Sequence, residues 1–534
     1  MPSSRFPALS ALARTTLLAV IVSAGVAVTV PAYAGPAGAP GSGSSSSPSV
    51  IAGLTLTERT TTLAARRALD QAADVLAPKS ARRAKQTLVH GRDATMALAN
   101  LYVHRDQMSA SDQSTASRML ARPTPGKRLC STKVPICIHW LTSGDDKSSW
   151  AWVKQVRSVM ENVYARYHKA GYRRPVGDGA VGGKKNYVDI YLRDVFDQGY
   201  YGYCAPDGKP ANAPQGSTTA KAYCVLDNDY AHRQYPENTP LQNLQVTAAH
   251  EFFHAIQFGY DAGEDLWLME GTAVWAEDEI YSAVNDNLQY LPYGQLRRPR
   301  TPLDKQTTYG VYGNWIFFRY LSERMPRKVG GMPLILRQIW QHADSTKGKK
   351  KNDYSIQAVA DAVADRGKLF RTLYLQFAEA NHHPWRAYRE GRANKYPIAP
   401  ITKSVTIRPA SSSANGAYTL QHLTSASTRF VSHNVPAGRK LRVQVHLTRP
   451  GMQAAIVTVY LKSGALKKYP VKVNGRGNGS VAVPFATKTV QKAELTLASA
   501  ARSYTCWKGT GMSCHGKPKY DALRDTWKGT LVKG

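Results

Sequence analysis

Residues Val246–Tyr281, VTAAHEFFHAIQFGYDAGEDLWLMEGTAVWAEDEIY, decide how this chain is read. They contain HExxH, with His250 and His254 four apart and Glu251 directly after the first histidine. On a helix, residues four apart share a face, so both imidazoles can reach one ion. Glu251 then stands where a carboxylate takes a proton from metal-activated water. With 14 His and 37 acidic residues in 534 positions, random placement gives roughly 0.03 such matches. Leu244, Val246, Ala248, Ala249, Phe252, Phe253, Ile256 and Phe258 make the segment apolar nearly all round, the pattern of a buried helix. A buried helix carries two His and a Glu only where those groups are satisfied, and a metal satisfies all three together. The competing reading is a pair of core histidines hydrogen-bonded to their neighbours.

A catalytic zinc takes three protein ligands and keeps one position for water. Glu270 is the expected third ligand, because it opens EGTAVWAEDEIY, a second apolar helix. A turn, GYDAGED from Gly259 to Asp265, separates the two helices. Within it Asp261, Glu264 and Asp265 read as turn and cap residues. Glu277 lies two turns beyond Glu270 on the same face, either orienting a ligand histidine or as an exposed helical glutamate.

HExxH followed by DLWLxEG resembles the gluzincin metallopeptidases, of the aminopeptidase N and thermolysin-like clan, and among them the secreted bacterial members. The resemblance implies zinc held by His250, His254 and Glu270, with Glu251 as the general base. It covers the catalytic core only. Fifteen residues, Ala255 to Met269, separate the second His from the ligand Glu, against eighteen in the aminopeptidases, so the connecting turn is shorter. The GxMEN element that captures a free substrate amino terminus is absent. In that family a Tyr before an apolar helix supports the oxyanion. Here TTYGVYGNWIFFRYLSER offers Tyr309 and Tyr312, and the alignment does not choose between them.

Residues 1–34 read as a signal peptide: Arg5 and Arg14, an apolar run from Thr16 to Val30, and Ala-Tyr-Ala at the cleavage site. No later run of eighteen apolar residues follows, so no membrane span is expected in the mature form. Six cysteines fall as Cys130/Cys137, Cys204/Cys224 and Cys506/Cys514, an even number in an exported chain, and neighbour pairing is the simplest of fifteen connectivities. The formal charge is +33; without Arg5 and Arg14 it is 31. Such an excess favours contact with anionic material: wall or surface polymers, lipid head groups, nucleic acids or acidic proteins. The competing and favoured reading is a generally basic surface kept soluble by its charge. The clusters at Arg82–Lys85 and Lys347–Lys351 are scattered, and no zinc-finger or RRM-like motif points to a specific nucleic acid.

The expected fold class is α+β: a zincin-like catalytic domain of a mixed sheet and active-site helices, a helical N-terminal region, and a C-terminal antiparallel β-sandwich. Residues 35–50 read as a flexible linker. Residues 51–128 read as helical, with starts at Asp93 and at Ser109/Asp112, and equally as a pro-region cut near Lys127 or Arg128 or as an integral helical subdomain. The metallopeptidase domain spans 129–396. It includes strands at ICIHWL and NYVDIYLRDV and a substrate-pairing edge strand at KAYCVLDNDY, Lys221–Tyr230. Residues 397–534 alternate with period two, as in a sandwich. The function expected is a secreted zinc peptidase acting on peptide or protein substrates, with endopeptidase action favoured. The alternatives are an inert surface-binding protein on the same scaffold, and an aminopeptidase with Asp227 or Asp229 holding the substrate amine.

Overall fold

The computed structural model describes residues 56–77, 94–210, 212–214, 216–307, 309–347 and 353–534. The expected leader and linker, Asp93, the Arg82–Lys85 cluster and most of Lys347–Lys351 lie outside the described residues. The chain is an α+β protein. Three helices come first: α1 (Leu56–Leu76), α2 (Thr95–His104) and α3 (Ala110–Met119). As the sequence predicts, Ser109 caps α3, its Oγ accepting the Asp112 N–H at 3.2 Å.

A mixed sheet follows, made of β1 (Lys127–Cys130), β2 (Ile136–Trp140), β3 (Val188–Arg193), β4 (Gly202–Asp207) and β5 (Lys221–Asp227). Its order is β1-β2-β3-β5-β4; β2, β3 and β5 run parallel, while the outer β1 and β4 are antiparallel to their neighbours. The expected edge strand at Lys221–Tyr230 is therefore internal, paired on both sides, and the edges are β1 and β4. Period-two alternation marks which residues share a face, and it carries no information on which strand is outermost. The helix α4 (Trp150–Lys169) links β2 to β3.

The central helix α5 (Pro240–Asp261) starts at a capping box: Thr239 Oγ1 accepts the Gln242 N–H, Gln242 Oε1 accepts the Thr239 N–H, and Pro240 takes the first helical position. It is buried from Asn243 to Asp261 apart from Gln245, lying on the sheet with α4 beside it. The helix continues through Gly259, Tyr260 and Asp261, so the turn predicted to begin at Gly259 is only Ala262–Asp265. Burial of Tyr260 and Asp261 extends the helix past the glycine. Next comes α6 (Leu266–Tyr281), buried from Trp267 to Asp278.

The remaining helices are α7 (Gly310–Gly313), α8 (Trp315–Arg324), α9 (Leu334–His342), α10 (Ile356–Ala364), α11 (Phe370–Ala380) and α12 (Pro384–Ala387), with a two-strand ribbon, β6 (Lys328–Val329) and β7 (Met332–Pro333), before α9. The sandwich pairs one sheet of β8 (Lys403–Ile407), β10 (Thr424–Ser432), β12 (Gln453–Leu461), β13 (Leu466–Pro470) and β15 (Val490–Ser499) with another of β9 (Ser413–Leu420), β11 (Arg439–His446), β14 (Asn478–Pro484) and β18 (Leu523–Lys533). The pairing is antiparallel except between β8 and β10, which run parallel. A last ribbon, β16 (Tyr504–Thr505) with β17 (Lys517–Pro518), carries the Cys506–Cys514 disulfide. The sandwich is tied to the helical part by polar bridges. Glu379 on α11 accepts from Thr458 Oγ1 at 2.7 Å and Lys468 Nζ at 2.6 Å. Asp265, just ahead of α6, accepts the Cys514 N–H at 2.7 Å.

All six cysteines form the neighbour pairs Cys130–Cys137, Cys204–Cys224 and Cys506–Cys514. The first two join residues directly opposite each other in the sheet. Among the described residues no helix is long and apolar enough to cross a membrane.

Candidate metal centre

His250 and His254 lie on one face of α5, and the short turn brings Glu270, in the first turns of α6, across to them. His250 Nε2 is 3.0 Å from His254 Nε2, and Glu270 Oε2 is 3.2 Å from the first and 3.7 Å from the second. A tetrahedral ion bonded at 2.0–2.1 Å separates its ligand atoms by about 3.3 Å, so these spacings suit one zinc-sized cation. Among the described residues this is the one group of three or more His, Cys, Asp or Glu side chains converging on an ion-sized space.

The outer side of each imidazole decides what the inner side offers. His250 Nδ1 donates to Glu277 Oε1 at 2.6 Å, and Glu277 is buried. His254 Nδ1 faces Gln257 Oε1 at 2.6 Å. The amide of Gln257 is oriented by its own donations, from Nε2 to the Met269 carbonyl and to Thr272 Oγ1, each at 3.0 Å. Its oxygen therefore accepts, and His254 Nδ1 carries the proton. Both Nε2 atoms are left as lone pairs facing each other and a carboxylate. Neither Glu270 oxygen has a hydrogen-bond donor. Two imidazole nitrogens and a buried carboxylate this close together are held by a cation between them, a metal ion or a proton. When a proton takes the cation's place on the imidazoles, burial pushes the Glu270 carboxyl up, but hydrogen bonds from His250 and then His254 hold it down, at about 2. Burial likewise opposes protonation of His254, and the Glu270 carboxylate outweighs it, raising the imidazole.

Glu251 is 2 % exposed, beside His250 at 3 % and His254 and Glu270 at 0 %, so the site is closed to solvent. Its Oε2 accepts from Thr95 Oγ1 at 3.0 Å. Behind it, the Cys204–Cys224 disulfide packs against the Glu251 backbone, with Cys204 Sγ 2.8 Å from the carbonyl oxygen.

Of the two tyrosines, Tyr309 is 43 % exposed just ahead of α7, and Tyr312 is buried within it, stacked on Tyr290 at 5.1 Å. The helix α7 meets α6 beside Glu270: a Cβ on Gly271 would stand 3.3 Å from the Val311 carbonyl oxygen and 2.7 Å from the Phe318 ring. A glycine is what lets these helices approach. Of the turn acids, Asp261 ends α5 and accepts from Gly263 N–H as a turn residue does, and Glu264 accepts from Asp265 and Ser355 N–H. Asp265 stands at the N-cap of α6 without a capping hydrogen bond, its carboxylate being taken by Cys514 N–H and Gln306 Nε2. Asp227, weighed above as an amine holder, is fully buried and takes the Tyr230, Asp229 and Val195 N–H groups and the Tyr235 hydroxyl. It shapes the exit of β5.

Sequence reading missed Gln257 and Thr95. Gln257 stands three residues after His254, the spacing of a same-face helical neighbour, so it was legible in principle. Thr95 is 156 residues from Glu251, and no local pattern points to it.

No protein-family model matches the chain, and no curated protein is similar to it in sequence. Solved structures with some likeness include the Aeromonas hydrophila PliG, a periplasmic lysozyme inhibitor of g-type lysozyme: 13 % identity, TM-score 0.14, covering 24 % of this chain and 98 % of that one. Another is a family GH115 4-O-methyl-α-glucuronidase with specificity for decorated arabinogalactans: 8 % identity, TM-score 0.13, covering 68 % of this chain and 54 % of that one. Neither likeness is close enough to bear on the fold or on the site.

Proposed function

We propose that the chain is an exported zinc-dependent peptidase of the gluzincin type, acting as an endopeptidase. The observation that carries this reading is the convergence of three buried acceptors, His250 Nε2, His254 Nε2 and Glu270 Oε2, with Glu251 beside them. Zinc held there would supply Lewis acidity to a water and to a scissile carbonyl. Glu251 takes the proton of the attacking water and passes it to the leaving amine. Glu277 and Gln257 hold the imidazoles in the tautomer that offers Nε2. Tyr309 or Tyr312 donates to the oxyanion; α7, which carries Tyr312, abuts the helix of Glu270. The reading of residues 1–34 as a leader and the pairing of all six cysteines support export.

The test combines metal analysis with cleavage of an unstructured protein, before and after nicking the exposed segment ahead of β1. Wild type and Glu251→Gln should each hold one zinc, while Glu251→Gln loses on the order of 10²–10⁴ in turnover. Glu270→Ala should lose the metal. Undiminished turnover in Glu251→Gln, or no zinc in the wild type, refutes the reading. Cleavage confined to terminal residues would make the enzyme an exopeptidase.

A further inference from the structure

We propose that the helical segment ahead of β1 is a built-in inhibitor of the site, with the Thr95 hydroxyl as its plug. The proposal rests on the peptidase reading above. Thr95 opens α2 and is fully buried. Its Oγ1 donates to Glu251 Oε2 at 3.0 Å and accepts the Cys204 N–H at 2.9 Å. Cys204 lies in the middle of β4, one of the two antiparallel edges of the sheet and the one on which α5 and α2 pack. One side chain thus occupies two groups at once: the carboxylate that must reach a water, and an edge-strand N–H of the kind an extended peptide pairs with. Substrate and Thr95 cannot hold that place together.

The segment is held to the rest of the protein by packing and polar contacts. Apolar residues Leu98, Leu101 and Tyr102 of α2 are buried in the main core. The Tyr200 hydroxyl donates to the Val75 carbonyl at 2.7 Å, and Lys209 pairs with Asp106 at 2.5 Å. None of these contacts is covalent, because all six cysteines follow the segment and pair among themselves. Beyond α3, Arg122 is anchored to Asp178, Asp189 and Asp207. Then Thr124–Arg128 are exposed. Lys127 and Arg128, the cut positions expected from sequence, already belong to β1 and pair with Trp140 and His139, so the accessible bonds lie just before them. Hydrolysis of one such bond by an endopeptidase adds water across it, hydroxyl to the carbonyl carbon and hydrogen to the nitrogen. It leaves the segment held by packing and polar contacts alone.

The experiment inserts a site-specific protease recognition sequence between Thr124 and Pro125 of the full chain. The zinc-loaded protein is compared intact, cut, and cut then separated from the released segment. Three readouts are followed: metal transfer to a coloured chelator, hydrogen exchange at the Cys204 amide, and hydrolysis of an unstructured protein. In the intact chain, transfer should be slow, the amide protected and hydrolysis absent. After separation, transfer should be faster on the order of tenfold or more, the amide should exchange and hydrolysis should appear. Equal transfer and equal Cys204 protection in all forms overturn the proposal, as does an intact chain that hydrolyses as fast as the separated one. Thr95→Val in the uncut chain keeps the side-chain volume and removes both hydrogen bonds. Faster Cys204 exchange with cooperative unfolding retained supports the plug, and unchanged exchange overturns it. Greater metal access without hydrolysis leaves the plug standing and refutes the peptidase reading. A separated form that takes no metal refutes both.

Discussion

Replacing Glu277 tests the step on which the metal assignment turns, the fixing of the His250 tautomer. Glu277 Oε1 lies 2.6 Å from His250 Nδ1, and the carboxylate is 1 % exposed. As an obligate acceptor it keeps the proton on Nδ1 and presents Nε2 as a lone pair toward His254 and Glu270. Glutamine has the same shape but two possible orientations. With its oxygen toward Nδ1 the tautomer survives, and the bond loses its charge, which makes it roughly half as strong. With its NH₂ toward Nδ1 the proton moves to Nε2 and the ligand is lost. Alanine leaves a buried Nδ1–H with no acceptor, which costs about 1–3 kcal/mol. Outer partners of ligating histidines are worth roughly 10–100-fold in affinity, or about 1.4–2.7 kcal/mol. We therefore expect Glu277→Gln to weaken zinc binding about tenfold and Glu277→Ala toward a hundredfold. The assay is competition against a chelator of known affinity at fixed pH, with thermal unfolding of the metal-free variants followed alongside. Affinities within about twofold of wild type for both variants, in folded protein, would refute the tautomer argument and with it the main support for a metal.

Other perturbations report on how the site is held. Gly271→Ala places a Cβ 2.7 Å from the Phe318 ring; overpacking of about 1–3 kcal/mol should outweigh the roughly 1 kcal/mol gained in helix propensity. A raised melting temperature would show that α8 yields freely. Removing the Cys204–Cys224 disulfide, whose partners are 20 apart in sequence, should cost about 3 kcal/mol, and removing Cys130–Cys137, 7 apart, about 2; denaturant unfolding of the two Cys→Ser pairs checks the order, and its reversal would count against the loop-entropy account. Burial raises the Asp227 carboxyl from 3.8 to about 6 against the Tyr230 and Asp229 N–H donors. The folded state therefore binds that proton more tightly than the unfolded chain, so the penalty is absent below pH 3.8 and grows as pH rises to about 6. It amounts to roughly 3 kcal/mol at most. Asp227→Asn should flatten the fall in unfolding free energy across that window, and a slope identical to wild type would refute the claim.

What the sequence determined by itself is what short-range geometry dictates. Four-residue spacing puts His250 and His254 on one helix face whatever surrounds them, and an apolar circumference buries that helix. Glu270 follows after so short a turn that little other than the meeting of α5 and α6 was open. Neighbouring cysteines paired as their proximity implies, and period-two alternation marked residues 397–534 as strand-rich, visibly so in β11. Glu277 was visible as a position two turns beyond the ligand, but whether it faced His250 or solvent depended on what packed over α6. Gln257 had the right spacing, and only its contacts with Met269 and Thr272 on the next helix fix which way its amide points.

Tertiary structure alone decided everything that depends on pairings distant in sequence. Which strand lies at the sheet edge follows from the order β1-β2-β3-β5-β4, and a strand's own residues look alike whether it has one neighbour or two. The parallel pairing of β8 with β10 is likewise unwritten in either strand. Thr95 is an ordinary threonine in an alanine-rich helical stretch, yet packing of α2 on β4 brings its hydroxyl to Glu251 from 156 residues away. Local spacing fixes which groups can share a face, whereas long-range packing fixes what covers that face, because the free energy that selects the cover is spread over the whole buried interface.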